Sequence, residues 1–394
     1  MGPPRRPYGR RADGTALAVS LFSLGTMRAL ASPAQMESVL RAALAVGLNH
    51  LETAPAYGPA EAFLGQALQR LQAEGLVPEG GWRITSKLLP GCDLATGQQQ
   101  LRAILQRLGV PRLSHLAVHG LNRSEHLRWA LHGDGADLLA WALDSGLTEA
   151  VGFTSHGSNG LIDLALASGR FSFCGLHVHL LDRTHLALAR AALADGIGVL
   201  AISPADKGGR LYDPPPQLQA DCAPFHPLEL AYRFLLDQGI SSLSLGAEQP
   251  GDLAWAAALS GTGADAGTYS PAGSAPSPEE LAAAVARLDA SQARRLGAEH
   301  CGQCRACLPC PSDVPIPELL RLRNLALGHG LQSFAEERYN LIGRAGHWWE
   351  ELNGEACRRC GSCLPRCPHG LPIPDLLADT HRRLAAAPRR RLWG

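Results

Sequence analysis

The sequence has no charge excess: Lys plus Arg and Asp plus Glu each total 36 across 394 residues. A balanced chain sets up no global field, so nothing in it argues for nucleic-acid or membrane-surface binding. No apolar run reaches the roughly 18 residues that a membrane span needs. Pro3, Pro4, Pro7 and Gly9 interrupt the start, so no secretory leader is expected and the chain reads as cytoplasmic. A glycine-rich dinucleotide fingerprint is missing after the first predicted barrel strand, where Leu24-Gly25-Thr26-Met27-Arg28 stands instead. That absence disfavours an open doubly wound sheet. What remains is 46% hydrophobic and 18% charged, a globular composition long enough for two or more cores.

Cysteine is where the chain is rich. Eight of its eleven cysteines form two compact runs: Cys301, Cys304, Cys307, Cys310 before Pro311, and Cys357, Cys360, Cys363, Cys367 before Pro368. Three cysteines at a spacing of three, then a fourth before proline, is the ligand pattern of ferredoxin-type iron–sulfur clusters. A short loop turning with period three can deliver thiolates to three corners of a cubic cluster. Zinc is the main rival, but a structural zinc usually takes paired thiolates from two knuckles, and a triple leaves the middle thiolate awkward. A disulfide framework fits neither the spacing nor a reducing compartment. Two 4Fe–4S clusters are therefore expected. In two-cluster ferredoxins the cysteine before proline serves the other cluster. Cys301, Cys304 and Cys307 would then share one with Cys367, and Cys357, Cys360 and Cys363 one with Cys310. The scattered Cys92, Cys174 and Cys222 read as buried or idle thiols.

Ahead of these runs, short apolar segments alternate with helical patterns. Val19–Met27, His50–Thr53, Arg83–Lys87, His115–His119, Ala150–Ser155, Cys174–Leu181, Gly198–Ser203 and Ser242–Gly246 read as strands. Eight strand–helix units over about 250 residues predict a (β/α)8 TIM barrel. Residues 1–18 are assigned to a tail and a barrel-capping hairpin around Asp13-Gly14, and 19–260 to the barrel. Residues 261–278, rich in Gly, Ala, Ser and Pro, read as a linker, and 279–394 as a mostly α-helical ferredoxin-like domain opened by a capping box at Ser277 and Glu280. The basic ends (Arg5, Arg6, Arg10 and Arg11; Arg389–Arg391) read as solvated tails, with a docking patch for an acidic redox protein as the sharper alternative.

Residues at the C-terminal ends of barrel strands face the active site. Glu52, Lys87 and His119 end the second, third and fourth strands, and Tyr57 lies in the loop after the second. Singly each has a dull explanation: a surface charge, a rim histidine, a packing tyrosine. Together they make a working acid. Tyr57 would protonate a carbonyl oxygen, Lys87 would lower the phenol's pKa, Glu52 would hold Lys87, and His119 would orient the carbonyl.

The chain resembles the aldo/keto reductase family, in the branch fused to a C-terminal ferredoxin-like domain. The resemblance is carried by Gly25-Thr26-Met27-Arg28, Gly47 through Ala54 with Tyr57-Gly58, Ser86-Lys87 and Val118 through Asn122. It continues through Val151 to His156 and Lys207-Gly208-Gly209-Arg210-Leu211. It implies reduction of a small carbonyl substrate with a nicotinamide cofactor, NAD(P)H, contacted by Ser155, His156, His177, Lys207, Gly208, Gly209 and Gly246. The sequence departs from the family pattern at named points. Glu52 stands for aspartate, His177 for a glutamine, and Ile202 for a stacking tyrosine. Gly246 through Asp252 lacks a phosphate-gripping Lys or Arg, and Glu248 would repel a 2′-phosphate. No flavin pattern is present to split hydride pairs into single electrons, so a redox protein partner is a further expectation. The alternative reading is a non-catalytic electron-transfer or redox-sensing protein with the barrel as scaffold.

Overall fold

The computed structural model describes residues 3–261, 276–344 and 351–387. The predicted linker lies mostly outside the described residues, and Arg389–Arg391 wholly outside them. Contacts divide the chain into two compact units: Met1–Lys207 with Tyr232–Pro276, and Gly208–Ala231 with Ser277–Gly394.

The first unit opens with an antiparallel hairpin, β1 (Arg5–Arg10) and β2 (Ala16–Ser20). Asp13 Oδ1 accepts from Thr15 N at 2.8 Å, and Gly14 takes the φ of +84° that the turn requires. Eight parallel strands follow: β3 (Phe22–Gly25), β4 (His50–Glu52), β5 (Arg83–Leu88), β6 (Leu113–Val118), β7 (Thr148–Ser155), β8 (Phe173–Leu176), β9 (Gly198–Ala201) and β10 (Ser242–Gly246). They close into the expected barrel, β10 pairing with β3 through Leu245 opposite Leu24. Both faces of these strands are covered, so even their polar members, among them Ser23, His50, Thr85, His115 and Ser242, are buried. The helix Pro33–Ala45 starts with Ser32 Oγ accepting from Gln35 N at 3.1 Å and with proline in its first turn.

The hairpin fills the N-terminal end of the barrel. Tyr8 is 1% exposed and clusters with Leu17, Val19, Ala117, Ala150, Phe173 and Leu200. Its ring lies 4.9 Å from both His115 and Phe173. The four early arginines therefore do not form a solvated tail. Arg6 donates to Leu236 O at 2.9 Å and Ile240 O at 2.7 Å, Arg11 pairs with Glu149 at 2.8 Å, and Arg5 donates to Glu79 O at 3.0 Å. These bonds satisfy loop carbonyls that would otherwise be left over at the barrel's end.

The second unit is helical. The capping box forms as predicted, with Glu280 N donating to Ser277 Oγ at 3.2 Å and Ser277 N to Glu280 Oε2 at 2.7 Å. It starts the helix Pro278–Leu296, which is followed by Ile316–His329, Gln332–Tyr339 and Ile373–Leu384. Two of these begin alike, as Val314-Pro315-Ile316-Pro317-Glu318 and Leu371-Pro372-Ile373-Pro374-Asp375. Each acidic residue takes an arginine from the preceding cysteine run: Glu318 from Arg305, and Asp375 from Arg359. Arg323, 4% exposed, bridges two of these helices by donating to Asp379 at 3.0 Å, and it also pairs with Glu299.

The sequence reading put residues 208–231 in the barrel, whereas they pack within the helical unit. Arg210 pairs with Glu337 and Asp221 with Arg295, while Arg287 donates to Ala223 O at 2.6 Å and Gln217 to Gly328 O at 3.2 Å. Among the described residues no helix is long and apolar enough to cross a membrane.

Candidate active site and cluster-binding loops

Three consecutive strands of the barrel bring the predicted acid set together. Glu52 ends β4, Lys87 lies near the end of β5, and His119 follows β6; they are 7%, 2% and 9% exposed. The Lys87 ammonium bonds the Glu52 carboxylate, donates to Thr53 O at 2.9 Å, and donates to the Tyr57 hydroxyl at 3.0 Å. It thus has three acceptors for three protons, which fixes its position. Tyr57 is partly buried, and its hydroxyl reaches Glu52 Oε1 only at 3.4 Å, a weak bond that a carbonyl oxygen could replace. The His119 ring stands nearly perpendicular to that of Tyr57, centroids 5.9 Å apart.

Glu52 is longer than the aspartate of the family pattern, and Gly25 makes room for it. A Cβ on Gly25 would lie 3.4 Å from Glu52 Oε2 and 3.1 Å from Ser244 Oγ.

The electrostatics differ from the sequence expectation in one respect. Burial raises the Tyr57 phenol above its ordinary value, Glu52 adds to the rise, and Lys87 only partly offsets it. Lys87 itself is opposed by burial, yet Glu52 and Tyr57 more than compensate and raise it. The phenol is thus kept as a phenol, the form that can give up a proton.

The residues singled out for cofactor contact lie further round the mouth. Ser155 ends β7, but its hydroxyl is already engaged, donating to Leu121 O at 2.6 Å and accepting from Gly157 N at 2.9 Å. His156 N donates to Asn122 Oδ1 at 2.7 Å, and its ring lies 3.9 Å from that of His177, which follows β8. Lys207, in the loop after β9, donates to His177 Nε2 at 3.3 Å. Burial first, and then His156, Lys207, His179 and His185, hold the His177 imidazole well below its usual range. Gly208 and Gly209 belong to the helical unit, whereas Gly246 ends β10 within the barrel unit.

A residue passed over as a candidate ligand is Arg28. It pairs with Asp206 at 3.1 Å, and a Cβ on Gly246 would meet Arg28 Cδ at 2.7 Å and Asp206 Oδ2 at 3.3 Å. A cation therefore stands beside the end of β10, where the local sequence offered only Glu248. The signal was unreadable along the chain because Arg28 and Gly246 are far apart in sequence.

In the helical unit, Cys301, Cys304, Cys307 and Cys367 border one cavity, walled by Ile316, Leu320 and Leu371. Burial pushes the Cys307 thiol up to about 12, with Cys301 and Cys304 next among the causes. Cys363 is raised by burial and then by the neighbouring Cys357, Cys310 and Cys360. Cys310 is thus a neighbour of Cys363 in the second run, and Cys367 borders the cavity of the first. Among the described residues, no three His, Cys, Asp or Glu side chains converge tightly enough for a single metal ion. The four thiols border a wider space, and apolar walls with thiol donors suit an iron–sulfur cluster.

A barrel with this polar set at its mouth, joined to a helical domain with two cysteine runs, belongs to a class of iron–sulfur oxidoreductases. Residues 21–219 match the aldo/keto reductase family, and residues 300–371 match the 4Fe-4S dicluster domain. The chain belongs to the aldo/keto reductase family. No curated protein matches it. Solved structures similar in fold include an aldo-keto reductase of the silkworm Bombyx mori, at 18% identity and a TM-score of 0.56, covering 73% of this chain and 88% of that one. Another Bombyx mori aldo-keto reductase, in complex with NADP, is 19% identical with a TM-score of 0.55, covering 73% and 93%. At these identities the likeness is one of fold.

Proposed function

We propose that the protein reduces a small carbonyl compound at Tyr57, using a nicotinamide dinucleotide, and carries two 4Fe–4S clusters in its helical unit. The observation that carries this reading is the Lys87 ammonium set between the Glu52 carboxylate and the Tyr57 hydroxyl. In a carbonyl reduction the carbon gains a hydride and the oxygen a proton. Tyr57 would give that proton from its hydroxyl, and the Lys87 ammonium would stabilise the phenolate left behind. Glu52 keeps Lys87 charged and in place. His119, nearly perpendicular to the phenol, would donate to the carbonyl oxygen and orient it. Solvent then reprotonates Tyr57.

A dinucleotide suits this mouth at its phosphate end, where Gly246 leaves the backbone bare beside Arg28. At the carboxamide end the fit is poor, because the Ser155 hydroxyl and His177 are engaged with protein partners. When bound, NADH or NADPH supplies the hydride. Cys301, Cys304, Cys307 and Cys367 would hold one cluster, and Cys357, Cys360, Cys363 and Cys310 the other; when bound, these supply one-electron transfer. Partner exchange with a redox protein follows from that mismatch in electron number.

The test is anaerobic reconstitution, with iron and sulfide counted, followed by nicotinamide fluorescence titration and a panel of aldehydes and ketones. Binding with turnover that Tyr57→Phe abolishes supports the reading. No binding of either nucleotide up to about millimolar concentration, with cluster signals intact, would favour the non-catalytic electron-transfer alternative.

A further inference from the structure

The two cysteine runs of the helical unit sit in loops of unlike charge. Both runs reach the surface, since Cys304 of the first and Cys360 of the second are exposed. From Cys301 to Pro317 the chain holds Arg305 and Asp313, whose charges cancel. From Cys357 to Pro374 it holds Arg358, Arg359 and Arg366 and no carboxylate. All three arginines are exposed. Of the acids that flank this stretch, Asp375 pairs with Arg359, and Glu355 precedes the first cysteine.

The runs otherwise correspond, Cys307-Leu308-Pro309-Cys310 against Cys363-Leu364-Pro365-Arg366-Cys367, and the residue that the second has in addition is Arg366. Arg366 is held in place, donating to Pro309 O at 3.0 Å beside Cys310, itself a neighbour of Cys363. A side chain already fixed loses less freedom when a partner binds. The matching leucines differ too: Leu308 is half-buried, whereas Leu364 is 43% exposed. An apolar centre with arginine at its rim is the make-up of a protein interface. Cysteines that hold a one-electron centre at the surface call for a partner that exchanges single electrons, and a basic rim selects an acidic one.

We propose that the loop of the second cysteine run, with Leu364 at its centre and Arg358 and Arg366 at its rim, is the docking face for an acidic one-electron carrier protein. This rests on the two-cluster reading of the helical unit and names the end at which that unit meets its partner. The first run has an exposed cysteine as well, but neither the charge nor the exposed leucine. Exposure therefore does not choose between the runs, and the surface around the cysteines does.

The full-length protein, reconstituted anaerobically with its iron counted, would be titrated by calorimetry with an acidic plant-type 2Fe–2S ferredoxin and, separately, with the basic carrier cytochrome c. Saturable one-to-one binding of the ferredoxin is expected, weakened about tenfold when salt is raised from about 50 to about 300 mM. Arg358→Glu combined with Arg366→Glu should weaken it about tenfold or more, and Leu364→Ser about threefold. Arg112→Glu, the same charge change at an exposed arginine of the barrel unit, should stay within about twofold. Iron content and visible absorbance equal to those of the native protein show that a variant has lost docking and not a cluster. Where the double variant loses iron, Arg358→Glu alone decides, with a loss of about threefold expected. Iron-loaded native protein that does not bind the ferredoxin overturns the proposal and leaves the cluster reading standing. Charge variants that bind as tightly as the native chain, cytochrome c binding as tightly as the ferredoxin, or phosphatidylserine vesicles binding in its place overturn it as well. Native protein that takes up no iron overturns the cluster reading, and the docking proposal with it.

Discussion

The Lys87 ammonium donates to the Tyr57 hydroxyl at 3.0 Å and lies 4.6 Å from the centroid of the same ring. The bond leaves the hydroxyl proton free to point elsewhere, because lysine has donors only and occupies a lone pair of the oxygen. That proton reaches Glu52 Oε1 at a long 3.4 Å. Tyr57→Phe removes the proton without disturbing the ring. Turnover of any carbonyl substrate should fall by about 10²–10⁴-fold, with little change in Tm. Unaltered turnover would assign proton donation to another group, His119 first.

The direction of the two shifts sets the pH behaviour. Tyr57, with an ordinary value of 10.0, is raised chiefly by burial, and Lys87, with an ordinary value of 10.5, is raised because Glu52 and Tyr57 outweigh burial. A group whose folded pKa is raised stabilises the fold below its unfolded value and loses that contribution as pH rises through the folded value. The contribution should therefore hold from about pH 7 to about pH 10 and decline only above that. Proton donation has the same sign, since the phenol must be protonated. A kcat/KM profile that is level across this window agrees. A descending limb near neutrality would mean that Lys87 makes the phenol acidic after all.

Arg28 offers a test of the phosphate end. Its pairing with Asp206 beside Gly246 is partly exposed, so a phosphate could compete for the guanidinium. Arg28→Gln should weaken NADPH binding by about tenfold, the scale of one hydrogen bond to a charged group. Fluorescence titration measures it. Equal affinities would remove Arg28 from the cofactor path.

Much of this was legible in the sequence, for reasons that can be named. The barrel could be read because short strand-like segments alternate with helical patterns eight times, and the helix starts because Ser32 and Ser277 cap with their own side chains. Glu52, Lys87 and His119 could be read because each stands at or within one residue of a strand's C-terminal end. What stayed hidden depends on distant packing. Nothing local says that residues 208–231 pack with the helical unit, since the Arg210–Glu337 and Asp221–Arg295 pairs join distant segments. The contact between His177 and Lys207 and the approach of Arg28 to Gly246 were hidden for the same reason.

Tyr8 tests the barrel plug. It is 1% exposed, with His50, His115 and Phe173 around its ring, and His115 Nε2 lies 2.5 Å from its carbonyl oxygen. Tyr8→Ala leaves a cavity that this rigid end cannot collapse to fill. The loss should be about 3–5 kcal/mol of stability, read from urea unfolding of the barrel. Tyr8→Phe keeps the packing and should cost far less.

The cysteine pairing makes the sharpest demand on the helical unit. Cys367 borders the same cavity as Cys301, Cys304 and Cys307, and Cys310 is a neighbour of Cys363. If the fourth ligands cross in this way, Cys301→Ser and Cys367→Ser damage one cluster, and Cys357→Ser and Cys310→Ser the other. EPR of the reduced protein, with iron counted, should therefore sort the four variants into those two pairs. Sorting by run instead, with Cys310→Ser resembling Cys301→Ser, would show that each run keeps its own fourth cysteine. The physical ground for crossing is reach. After each run the chain enters a helix six residues beyond the last cysteine, at Ile316 and at Ile373, each preceded by a proline N-cap, Pro315 and Pro372. Both helices line the first cavity, Ile316 and Ile373 included, so the two halves of the unit already close around a single site.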